Sequence, residues 1–90
     1  MAQAIVDPIE LRRFAHHLKI FNADLRDRVA ALHGQLVGLG DTWRDQEHEK
    51  FTQEFEATLH VVEHFLEAAD QHVPFLQRKA ERIEEYLQQR

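Results

Sequence analysis

His60-Val61-Val62-Glu63-His64 matches H-x-x-E-H, an order of residues used by zinc peptidases. That chemistry needs His60 and His64 on one helical face to hold zinc, Glu63 as the base, and a third ligand from elsewhere. Measured against the apolar stripe of the same segment, both histidines fall on the solvent side, and a pair of helices offers no cleft to exclude water. A di-iron bundle would need Glu-x-x-His motifs on facing helices, and the chain contains none. No serine and no cysteine are present, which removes serine and thiol nucleophiles, thiolate zinc sites and disulfides together. A phosphate-cradling loop would follow a strand, and the pattern predicts no strand. The residues therefore predict no catalytic residue, no resident metal and no cofactor. Seven histidines in 90 residues keep one competing class in view, a metal- or pH-responsive helical bundle. In it His60 and His64 take zinc one turn apart, or His48 and His72 titrate at an interface.

Composition narrows the partners. Apolar residues make up 43% and charged residues 30%, a balance that folds and stays soluble. The net charge of −5, with both signs mixed along the chain, speaks against a nucleic-acid partner, which needs a basic face, and against an anionic membrane surface. No apolar run approaches the roughly 20 residues of a membrane span, so no membrane insertion is expected. Met1 to Pro8 lacks the basic and apolar regions of an ordinary signal peptide. Glu81 and Glu85 stand where they can pair with Arg78 and Arg82 on a solvated face.

Two helices must position whatever this chain presents. Asp7-Pro8-Ile9-Glu10 reads as a start, with Asp7 capping, Pro8 in the first turn and Glu10 reaching back as in a capping box. Apolar residues recur at Leu11, Phe14, Leu18, Phe21 and Leu25, then at Val29, Leu32, Leu36 and Leu39, one helical stripe with a stutter after Leu25. Gly38 and Gly40 end it, with Gly40 expected as a left-handed C-cap. Asp41, Thr42 or Asp45 can cap the second helix. Its stripe runs through Phe51, Phe55, Leu59, Val62, Leu66, Ala69, Val73, Leu76, Ala80, Ile83 and Leu87, keeping phase through Pro74, which predicts a kink and not a break. The prediction is a single domain over 1–90: helix one at about 8–39, a turn at about 40–45 and helix two at about 46–88. The short connection folds the helices into an antiparallel hairpin. Helix two carries a second apolar line, Val61, Phe65, Ala68 and Phe75, which a lone hairpin leaves in water. The closed solution is a two-fold dimer forming an all-α four-helix bundle. Its expected interface is Leu18, Phe21, Leu25, Phe55, Val62, Phe65, Leu66 and Phe75.

The only tryptophan, Trp43, lies in that turn, followed by Arg44 and Asp45, with Phe51 and Phe55 downstream. This layout resembles the WXG family of small helical hairpins associated with type VII (ESX) secretion, over the whole chain. Two departures stand out. Asp45 replaces the glycine of Trp-x-Gly, and Tyr86 is followed four residues later by Arg90 where secreted members tend to carry an acid. The resemblance implies a dimer with itself or with a homologous WXG-like protein. It also implies a surface built from Trp43, Asp45 and Tyr86, and a secretion ATPase or a larger secreted protein as further partner. The chain would be cytoplasmic before a signal-peptide-independent export. The alternative without export is a cytosolic coiled-coil adaptor.

Overall fold

The computed structural model describes residues 6–88. Its regular structure is α1 (Pro8–Leu39) and α2 (Gln46–Gln88), packed as an antiparallel hairpin. Asp7 is extended, and its Oδ1 accepts the Ile9 amide at 2.9 Å. Pro8 follows where a missing N–H costs nothing. Glu10 does not close a capping box. It turns forward to Arg13, whose charged guanidinium lies one turn on at 2.5 Å.

Gly40 is not left-handed, and no described residue has a positive φ. It sits at φ −59°, ψ −19°, and the chain leaves α1 by continuing its right-handed winding. The amides of Gly40, Asp41 and Thr42 donate to the carbonyls of Val37, Gly38 and Leu39, and Trp43 also donates to Leu39 at 2.8 Å. These bonds satisfy the last carbonyls without a reversal of hand. Glycine serves here through its size: a Cβ at position 40 would stand 3.2 Å from the Val37 oxygen and 3.7 Å from the His48 ring. Asp45 caps α2, its Oδ1 accepting the His48 amide at 3.0 Å, and Glu47 and Glu49 complement the positive end of the helix. Asp41 and Thr42 do not take that role; the Thr42 hydroxyl donates back to the Leu39 carbonyl. Asp45→Ala is expected to lower stability by about 1 kcal/mol, read as a shift of the urea midpoint.

The two helices meet along a heptad seam. Ala15, Asn22, Val29 and Leu36 of α1 stand seven apart, and so do Leu59, Leu66, Val73 and Ala80 of α2. All are buried except Val29, which is half-buried, and Ala69 joins them. Leu11, Leu18 and Leu25 flank this line on α1, and Phe55, Val62, Leu76 and Ile83 flank it on α2, all half-buried. From Phe55 to Ile83 the stripe of α2 is used as its periodicity predicts, while its two end members, Phe51 and Leu87, stay exposed. The stripe of α1 is split: Phe14, Phe21, Leu32 and Leu39 remain exposed, while Ala15 and Asn22, neither of them in the apolar stripe, occupy the seam. The seam keeps strict seven-residue spacing, so it contains no stutter. Pro74 lies inside α2 on its exposed side without ending the helix.

The molecule is a rod of 69 × 23 × 14 Å with a radius of gyration of 20.3 Å. A compact domain of this length would have roughly 12 Å. One contact line therefore has to stabilise two long helices, and large apolar side chains stay in water.

Candidate interaction surface

Two different flanks border the seam. On one side four polar contacts tie α1 to α2. Arg12 Nε meets Glu84 at 2.6 Å, Asn22 Nδ2 donates to Asp70 Oδ1 at 3.1 Å while Arg26 pairs with the other Asp70 oxygen, and His33 Nε2 stands 3.4 Å from Glu56. A groove on this side is lined by Arg26, Asp27 and His33 of α1 and by Glu63 and Glu67 of α2, together with the apolar Val29, Ala30, Leu59 and Leu66. The Arg26 hydrogen bond, aided by its charge, holds Asp70 below the usual carboxylate range, and the same bond raises Arg26. The stabilisation that follows is complete above the ordinary aspartate value of 3.8 and is lost as pH falls through the lower folded-state value.

The other flank is apolar. Phe14 and Phe21 each lie one residue, hence about 100° of turn, from Ala15 and Asn22. Leu32, Leu36 and Leu39 of α1 share an open groove of about 280 Å³ with Phe51 and Phe55 of α2. The apolar edges of the two helices thus face the same way. Phe14, Phe21, Phe51 and Phe65 are 58%, 52%, 41% and 54% exposed. At roughly 200 Å² for a whole aromatic side chain, they leave on the order of 400 Å² of ring surface in water. The leucines add to this, and the total reaches the size of patch that marks an interaction site.

The residues that the sequence names as an interface divide among three settings. Phe21 and Phe65 are exposed; Leu18, Leu25, Phe55 and Val62 are half-buried at the edge of the seam. Leu66, 2% exposed, is enclosed within the hairpin and has no surface to offer a partner. Phe75 is exposed and sits among Gln71, His72 and Arg78 on the outer side of α2. Phe14, Leu32, Leu39 and Phe51 belong to the apolar flank and fall outside that expected interface, although the sequence shows them as apolar.

At the turn Trp43 is half-buried. Its ring meets His48 edge-on at 5.0 Å and Phe51 at 5.9 Å, and Phe51 stacks on Phe55 at 5.6 Å. A file of aromatic rings therefore runs from the turn along α2 into the apolar groove. Asp45 fixes the start of that helix and so the place of the file. Tyr86, 62% exposed, borders a groove at the opposite end of the rod with Pro8, Ile83 and Leu87. Trp43 and Tyr86 of one chain are thus separated by nearly the whole of α2, about 65 Å for 43 residues. Arg90, four residues after Tyr86, lies outside the described residues.

His60 and His64 are largely exposed, and each faces the acid one turn on, Glu63 at 3.4 Å and Glu67 at 3.8 Å. Among the described residues no three histidine, aspartate or glutamate side chains gather as metal ligands. Nor is any helix among them long and apolar enough to cross a membrane.

The same hairpin occurs in solved structures of the secreted protein EsxB from Bacillus anthracis str. Sterne. A glycine-to-alanine mutant of it superposes with a TM-score of 0.80 over 93% of this chain and 97% of that one, at 23% identity. A selenomethionine form gives 0.80 over 96% and 98%, at 22% identity. The wild type gives 0.78 over 91% and 94%, at 23% identity. Likeness at this identity establishes the fold. No curated protein matches the sequence. The model of a family described as proteins of 100 residues with WXG matches residues 3–88, and the chain belongs to that family, WXG100, with Trp43-Arg44-Asp45 where the motif has Trp-x-Gly.

Proposed function

We propose that this chain is a non-enzymatic interaction module that acts as a dimer in type VII (ESX) secretion, either exported itself or escorting an exported partner. The observation that carries this reading is the two-sided hairpin. One flank of the seam is tied by ion pairs, and the other displays Phe14, Phe21, Leu32, Leu39 and Phe51 on a common apolar face. A second hairpin of the same kind, laid on that face, completes a four-helix core that one thin rod lacks. The partner is a second copy or a homologous WXG-like chain.

Antiparallel stacking gives the turn and the tail a joint role. Within one chain Trp43 and Tyr86 are at opposite ends, so any surface made of both needs two chains laid head to tail. Such a dimer carries that surface at each end, and a secretion ATPase or a larger secreted protein is its proposed reader. EsxB, which shares the hairpin, is a secreted protein, and this likeness supports export of the present chain. The first test is mass in solution: sedimentation should give twice 10.7 kDa, alone or with a co-expressed WXG partner. A stable single-chain mass in both settings would refute the reading. Trp43→Ala is expected to keep that mass and reduce export at least about tenfold, scored by immunoblot of culture supernatant against cell pellet; normal export would remove Trp43 from the signal.

A further inference from the structure

Asn22 is the one buried polar residue among those described, at 1% exposure, and its Oδ1 has no hydrogen-bond partner there. Its amide orientation is settled, because Nδ2 faces Asp70, and a carboxylate only accepts. Asp70 in turn holds Arg26. A half-satisfied amide in a seam is a poor source of stability, and an apolar side chain of similar size usually does as well or better. The apolar pattern of α1 sharpens the puzzle. Its strongest line is Phe14, Leu18, Phe21, Leu25, Leu32 and Leu39, yet α2 receives the weaker line of Ala15, Asn22, Val29 and Leu36. Apolar burial alone would turn the phenylalanines inward.

We infer that the Asn22–Asp70–Arg26 cluster fixes the rotation of α1 about its own axis, so that Phe14 and Phe21 are displayed to a second chain and not consumed within the hairpin. The proposal rests on the dimer reading above and adds what presents the face. Rotating α1 to bury its phenylalanines would strip Asn22 of Asp70 and carry Arg26 away from its carboxylate. Arg12–Glu84 and His33–Glu56 lie on the same flank and would open too, though exposed pairs of this kind contribute little. The polar residue thus acts by penalising the competing packing, as a single buried asparagine sets register in a coiled coil.

The test uses the full chain. Asn22→Leu should keep its helical circular dichroism and melt no lower than the parent, while its dimer dissociation constant rises at least about tenfold. In a homodimer that is the loss expected when about two chains in three hold the rotated, non-displaying state, because the displaying fraction enters once for each chain. The chain has no cysteine, so Phe14→Cys gives a unique thiol. At dilutions where chains are monomeric, its maleimide labelling should slow severalfold when Asn22→Leu is added. Unchanged labelling together with an unchanged dimer constant would overturn the inference. Should the parent never dimerise, the function proposed above fails, and labelling alone still decides whether α1 has turned. If Asn22→Leu does not fold, Asp70→Ser, at a half-buried site, replaces it with the same two outcomes.

Discussion

Leu66→Ala is expected to cost about 3 kcal/mol and to leave the isolated chain largely unfolded at growth temperature. Leu66 is 2% exposed at the middle of the seam, between Leu59 and Val73 one heptad away on each side. Removing a buried leucine side chain costs roughly 2–5 kcal/mol, the spread reflecting how far the site collapses around the gap. Collapse is restricted here, because the helices meet along a single line held by contacts at both ends of the gap. The rod also has little stability in reserve: small domains bury a low fraction of their surface, and this one is thinner than most. Urea denaturation followed by far-ultraviolet circular dichroism measures the loss. A change under about 1 kcal/mol would mean that the seam at Leu66 is not the core of the fold.

Phe21→Asp should do the opposite, leaving the hairpin intact and removing the dimer. Phe21 is already 52% exposed in the single chain, so the substitution takes little from the fold. In a two-fold dimer the same residue occurs twice, and each copy would place a carboxylate in the apolar contact. At about 2 kcal/mol for each anchor lost, the two copies weaken association by roughly 10²–10³-fold. Sedimentation equilibrium reads the constant, and circular dichroism confirms that helix content is kept. A dimer that survives Phe21→Asp with its constant unchanged would show that the partner sits elsewhere, with the outer line of Val61 and Phe75 as the next surface to alter. The two substitutions separate folding from assembly, since Leu66 faces inward and Phe21 outward.

Much of this architecture is legible in the order of residues. Asp7-Pro8 announces a helix start because the carboxylate and the imino ring each meet a need of the first turn. The stripe of α2 is legible because its strongest apolar line is also the line that packs. In α1 these two lines differ, and there periodicity misleads. It follows the phenylalanines, while the seam takes Ala15 and Asn22. A signal is present in the seven-residue spacing of Ala15, Asn22, Val29 and Leu36, but a buried asparagine makes sense only once Asp70 and Arg26 are beside it. Periodicity gives Leu66 to the partner for the same reason, since it marks an apolar face without saying which neighbour covers it. Glu10 and Gly40 depart from expectation locally. A nearby arginine claims the glutamate, and right-handed winding satisfies the end of α1 without a left-handed residue.

The sequence by itself determined two helices, the turn around Trp43 and the family, because local periodicity, caps and a short motif are written in neighbouring residues. The tertiary structure alone decided which flank of the hairpin is closed and which is open. That choice depends on pairs such as Asn22 with Asp70 and Arg12 with Glu84, 48 and 72 residues apart, whose meeting fixes the rotation of one helix on the other.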